Sequence, residues 1–242
     1  MCYSAEASFG TAVALVPAGA YCVARALAVN RLLLPLAVVP LGLAIQQAFE
    51  GWVWLGLHGQ KSDITTPALG FLFFALAFWP FWLSLQAAAS EVRQAVRPWL
   101  WLWTLLALSW FPIHFFPLVA DPSLLNVSEM HHSVRYDFPN LPVYRGIPRF
   151  WVRVAYLVTI VVPLAFGRSG IGFGWLGAGL LSGSAIVAAL VFHYAFASVW
   201  CFFAALLSLF LVVVFRRLPP DRSVPDARVR VAVPNRRGDR SH

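Results

Sequence analysis

Charge is scarce in this sequence. Acidic and basic residues together make up 12% of 242 positions, and lysine occurs once, at Lys61. A water-soluble domain usually carries about 25% charged residues, so an ordinary soluble enzyme is excluded. Without a lysine in its last hydrophobic segment the chain cannot form a retinal Schiff base, and it has no glycine-lysine P-loop to cradle a nucleotide phosphate. Cysteine is sparse as well. Cys2, Cys22 and Cys201 form no CxxC pair, and the histidines form neither HExxH nor HxxxH, so the strong zinc signatures are missing. No Lys or Arg precedes Arg25. A cleavable leader needs a basic start, so the first hydrophobic segment is expected to stay in the protein.

What fills the chain is apolar: 60% hydrophobic residues and a mean hydropathy of +0.72. Each helical membrane crossing takes about 20 apolar residues. Long runs place seven spans, at 8–28, 32–57, 66–88, 98–120, 148–167, 172–191 and 195–215, the last two joined by a tight turn at His193-Tyr194. The expectation is an all-α, seven-span bundle over 1–216, with the lipid bilayer as its main partner and a disordered basic tail over 217–242. The one sizeable loop, 121–147, holds Pro122, Pro139, Pro142 and Gly146, which argue against a long helix. Prolines inside the first five spans, among them Pro17, Pro35, Pro80, Pro112 and Pro163, foretell kinks.

The formal charge of +8 does not point to nucleic acid, because the arginines gather beside the spans and in the tail. Arg25, Arg31, Arg93, Arg97, Arg168, Arg216 and Arg217 share one side of a seven-span chain, which the positive-inside rule makes cytoplasmic. The N-terminus then faces out, and the setting is a bacterial inner membrane. Gly179 and Gly183 form a GxxxG pattern suited to close helix packing, within the chain or against a second copy. Trp52, Trp54, Trp99, Trp101, Trp103, Trp151 and Trp200 fit an interfacial belt, and Phe71, Phe73, Phe74, Phe78 and Phe81 fit lipid-facing bulk.

Projected onto this topology, most ionisable and metal-capable residues fall on the outer side. Glu50 lies within the second span, with Gln46 and Gln47 at i−4 and i−3 on the same helical face. A carboxylate there is costly and needs a partner; Arg153, at similar depth in the fifth span, is the leading one. An ion pair that orients helices, a proton acceptor, a metal ligand and a cation site all remain open for Glu50. His114 and His193 join Gln46, Gln47, Glu50 and Arg153 in the candidate polar pocket. Cys, His and Glu are ligands for zinc, copper or iron, so a transition metal or haem is a possible cofactor. Removal of Met1 would give Cys2 a free amine beside its thiol, and Cys2 could instead pair with Cys201 on an oxidising face.

The opening Met1-Cys2-Tyr3-Ser4-Ala5-Glu6-Ala7-Ser8-Phe9, with Gln46-Gln47-Ala48-Phe49-Glu50-Gly51, His132-Ser133 and Ser198-Val199-Trp200-Cys201-Phe202-Phe203, resembles a family of small bacterial integral membrane proteins whose chains begin MCFSAxASF and which form a domain of unknown function. The resemblance implies a multi-span bundle and singles out Cys2, Glu50, His132 and Cys201, and it brings no activity with it; on their convergence at one membrane depth the same four are the candidate metal ligands. Tyr3 stands where the family has Phe, and His131 duplicates the histidine. The functional expectation is an outward polar pocket of Cys, His and Glu that binds a transition metal or redox centre. The alternatives are a small-solute or ion transporter using Glu50 and Arg153, and a membrane scaffold.

Overall fold

The computed structural model describes residues 4–167, 174–192 and 195–218. Within them the chain is a bundle of helices with one small hairpin at one end, and six helical stretches are long and apolar enough to cross a membrane. The sequence expectation of seven spans meets a shorter helix at the sixth position, Trp175–Val191. The turn at His193-Tyr194 and the tail beyond Leu218 lie outside the described residues.

Helix α1 (Ala5–Val29) starts where the Ser4 hydroxyl accepts from the Ala7 amide, and ends at Asn30, whose side chain accepts from Leu32 N and opens the next turn. The second span is broken by its prolines into α2 (Leu34–Ala37) and α3 (Val39–Leu57), each with proline in its first turn. Helices α1 and α3 approach closely because small residues sit between them. A Cβ on Gly19 would lie 2.5 Å from Leu41, and one on Gly51 would lie 2.8 Å from Phe9. In lipid, where apolar burial gains nothing over the acyl chains, such close packing is what holds helices together.

The third and fourth spans each contain a π turn, with i→i−5 hydrogen bonding. Phe73–Phe78 lies between α4 (Thr65–Leu72) and α5 (Trp79–Ser90), and Phe111–Phe115 lies between α6 (Arg97–Leu108) and α7 (Phe116–Ala120). Proline is the local cause. Pro80 has no N–H to offer the carbonyl of Ala75 five residues back, and the Tyr156 hydroxyl takes that carbonyl instead. The kink in one span thereby fixes a side chain from another.

After α7 the loop forms an antiparallel hairpin, β1 (Asn126–Met130) and β2 (Ser133–Asp137), with His131 and His132 in the turn at positive φ, 48° and 55°. The absence of a long helix there matches the sequence reading; the hairpin is new. It is anchored to the bundle by Tyr136 stacked on Phe71 at 4.7 Å and by fully buried Val134. Helices α8 (Arg149–Phe166), α9 (Gly174–Val191) and α10 (Phe196–Arg217) complete the bundle. At the end opposite the hairpin, Arg25 donates to the Phe215 and Leu218 carbonyls at 3.4 and 2.9 Å, giving α10 a cationic cap.

Two packing expectations are corrected, and the GxxxG face finds no partner within the described chain. Phe71 and Phe74 are buried instead of facing lipid, because the hairpin and the third-span kink turn them inward. Trp54 and Trp200 are buried too and leave the interfacial belt, while Trp52, Trp99, Trp101 and Trp151 stay exposed. No described atom lies within 4 Å of a Cβ built on Gly179 or Gly183, so the GxxxG face makes no tight contact within the described chain.

Candidate functional site: a buried polar cluster beside a two-chambered cavity

The periodicity of α3 puts Gln46, Gln47 and Glu50 on one face, and all three are fully buried. Opposite them α10 presents Ser198 and Cys201, also one turn apart. The Ser198 hydroxyl donates to Glu50 Oε1, and Gln47 Nε2 donates to Glu50 Oε2 at 3.3 Å. Gln46 Nε2 points at the Cys201 sulphur at 3.1 Å, while Gln46 Oε1 accepts from Trp79 Nε1 at 2.6 Å. Six polar side chains from α3, α5 and α10 thus form two adjoining hydrogen-bonded trios, Ser198–Glu50–Gln47 and Trp79–Gln46–Cys201. Networks of this kind are favourable in a low-dielectric interior when their members are satisfied.

Cys201 is also the wall of two cavities. The first, of about 130 Å³, lies between the hairpin, α8 and α10, and is lined among others by His114, Arg149, Arg153, Tyr156, Trp200 and Cys201. The second, of about 110 Å³, runs among α5, α8, α9 and α10 toward Ser90 and Gly167 and is apolar apart from a few side chains such as Gln86. Tyr156, Trp200 and Cys201 line both. Tyr156 is held at Ala75, and the Trp200 indole reaches Ser184 Oγ at 3.2 Å, so the partition between the chambers is braced from both sides.

Two polar groups on the first chamber have no hydrogen-bond or ion-pair partner among the described residues, one buried and one exposed. His114, in the π turn of the fourth span, is 5% exposed, stacks on Trp110 at 4.2 Å, and has no hydrogen-bond partner on either ring nitrogen. Arg153 sits over the Phe196 ring at 5.8 Å, with no ion pair among the described residues. Its neighbour Arg149 is bound to Asp137 at 3.3 Å, and Arg135 is bound to the same carboxylate at 2.6 Å. Burial pushes the Tyr144 phenol above its ordinary range, and Arg149 and Arg153 partly offset this.

The expected Glu50–Arg153 ion pair is therefore absent. Glu50 faces α10 and is bonded by neutral donors there and on its own helix, whereas Arg153 is on the exposed side of the first chamber. The grouping of Glu50 with Gln46, Gln47 and Cys201 is as the sequence suggested. His114 lines the adjoining chamber instead of the cluster. His132 is separate from both: it lies in the hairpin turn with its side chain 79% exposed, 3.6 Å from Glu129 Oε1, while His58 approaches Glu129 Oε2 at 3.3 Å. Cys2 and His193 lie outside the described residues. Cys22 and Cys201 are buried free thiols, and no group of three His, Cys, Asp or Glu among the described residues is placed to hold a metal.

Sequence reasoning missed Ser198, Trp79, Tyr156 and the kinks that place them. Ser198 carried a usable signal, lying three residues before Cys201 on one helical face. No family model, curated protein or solved structure matches the chain.

Proposed function

We propose that this protein is a bacterial inner-membrane carrier for a small polar solute, a member of the MCFSAxASF-type family, with its N-terminus outside and its tail in the cytoplasm. The solute enters the first chamber from the outer face, and the Glu50 carboxyl exchanges a proton as the site loads and empties. One observation carries this reading: Cys201, a wall of the chamber, lies one turn after Ser198 on α10, and the Ser198 hydroxyl holds Glu50. A shift of α10 at the chamber wall would thus move the hydroxyl that holds the acid. An intramembrane carboxyl facing a bundle interior is the usual proton-relay element of pumps and transporters.

The test is flux. Protein reconstituted in liposomes holding a pH dye should acidify or alkalinise the lumen when a panel of small acids, amines and amides is added outside. Glu50→Gln should abolish the coupled proton movement with the fold retained. Proton-coupled flux that survives Glu50→Gln would overturn the assignment.

A further inference from the structure

The first chamber carries its own chemical specification. Seven of its lining residues are Phe, Tyr or Trp, among them Trp110, Tyr156, Phe196 and Trp200. Its volume of about 130 Å³ is on the scale of a dry cavity that accepts a single benzene-sized ring, roughly 150 Å³. Flat aromatic walls with a small interior favour a planar guest over a branched or extended one.

The charge around it is uneven. Arg135, Arg149 and Arg153 stand against one carboxylate, Asp137, which already holds Arg135 and Arg149. Among the described residues Arg153 has the Phe196 ring beneath it and no ion pair. A guanidinium backed by an aromatic face and without a carboxylate of its own offers two parallel N–H donors to an anion. Deeper in the chamber, the buried His114 imidazole has no partner among the described residues on either nitrogen. A buried polar group without a partner is unfavourable, and a ligand atom at that position would satisfy it. Aromatic cages also recognise quaternary ammonium ions, but an excess of guanidinium groups at this mouth repels a cation.

The geometry points to a binding site in this chamber for a small aromatic carboxylate, with the carboxylate on Arg153, the ring between the aromatic walls, and His114 as the second polar contact. This names the substrate class of the carrier proposed above and rests on that reading. The ring would lie against the partition of Tyr156, Trp200 and Cys201, the last of which Gln46 holds at 3.1 Å.

Benzoate is the probe, titrated into the purified full-length protein in lipid nanodiscs and followed by calorimetry and by tryptophan fluorescence, since Trp110 and Trp200 line the chamber. Saturable benzoate binding is expected. Benzamide, the same ring without the charge, should bind about tenfold or more weakly, and Arg153→Gln should weaken benzoate by a similar factor while leaving benzamide unchanged. His114→Phe, which keeps the stack on Trp110, should also weaken benzoate. Because Arg153 is on the exposed side of the chamber, Arg153→Gln should keep the wild-type unfolding temperature, so its result stands even if His114→Phe folds poorly. Equal affinity for benzoate and benzamide, no effect of Arg153→Gln, or preferential binding of tetramethylammonium would each overturn the site. If benzoate fails to bind while another solute still drives Glu50-dependent flux, the substrate class falls and the carrier reading survives. Arg153-dependent benzoate binding with flux indifferent to Glu50 would give the reverse.

Discussion

Gln46 and Cys201, 155 residues apart in sequence, meet in the bundle interior with the amide nitrogen of the one 3.1 Å from the sulphur of the other. The same amide accepts from Trp79 at 2.6 Å. One side chain therefore ties three spans together at the wall of a cavity.

Replacing Gln46 with leucine should leave the buried Trp79 indole N–H without an acceptor and release Cys201. An unsatisfied buried donor costs about 1–3 kcal/mol. The expected outcome is a lower unfolding temperature in detergent, with Gln46→Glu, which restores an acceptor to Trp79, less affected in that respect than Gln46→Leu.

Glu50 and Ser198 should be energetically coupled. Ser198→Ala removes the hydroxyl donor to Glu50 Oε1, and Glu50→Leu removes the acceptor. A double-mutant cycle on unfolding should return a coupling of about 0.5–3 kcal/mol, the range for contacting residues in one network. Strictly additive effects would mean that the two groups act separately.

Close approach of α1 and α3 depends on Gly19, where an added Cβ would lie 2.5 Å from Leu41 and 3.1 Å from its backbone nitrogen. Gly19→Ala should push the helices apart and destabilise by about 1–3 kcal/mol, as overpacking generally does. Gly179→Ala, whose Cβ meets no described atom, should be close to neutral in the same thermal assay.

The start of α4 should be sensitive to acid. The Thr66 side chain foremost, and then the Thr66 and Thr65 amides, from which Asp63 Oδ1 accepts at 3.1 and 2.9 Å, hold the Asp63 carboxyl below its ordinary value. A folded-state pKa below the unfolded one makes the contribution complete above the ordinary carboxylate range of about 4 and progressively lost as the pH falls through the lower folded value. Hydrogen exchange of the Thr65 and Thr66 amides should therefore lose protection in that acid window, and Asp63→Asn should blunt the dependence.

Much of this architecture was legible because lipid is an exacting solvent. A crossing needs an unbroken apolar run, so the ends of the long helices fall within a few residues of those runs. The shared face of Gln46, Gln47 and Glu50 followed from helical spacing alone. Which helix lies opposite that face did not. Depth along the membrane can be counted from sequence, whereas lateral neighbours depend on close contacts such as Gly19 on Leu41 and on kinks such as that at Pro80. Arg153 was matched to Glu50 by depth and turned out to serve a different wall, while Ser198 held the acid. Phe71 and Trp54 are buried because a hairpin packs over them, and nothing in a hydropathy pattern announces a hairpin inside a polar loop.

The most direct measurement is the reactivity of Cys201 in a chain whose Cys2 and Cys22 are replaced by serine and alanine. A small neutral methanethiosulfonate added from the outer face of intact cells should modify one thiol per folded chain, and Arg153-bound benzoate should slow it. A Cys201 that stays unmodified until the protein is unfolded would contradict the proposed outward-opening chamber of which Cys201 is a wall.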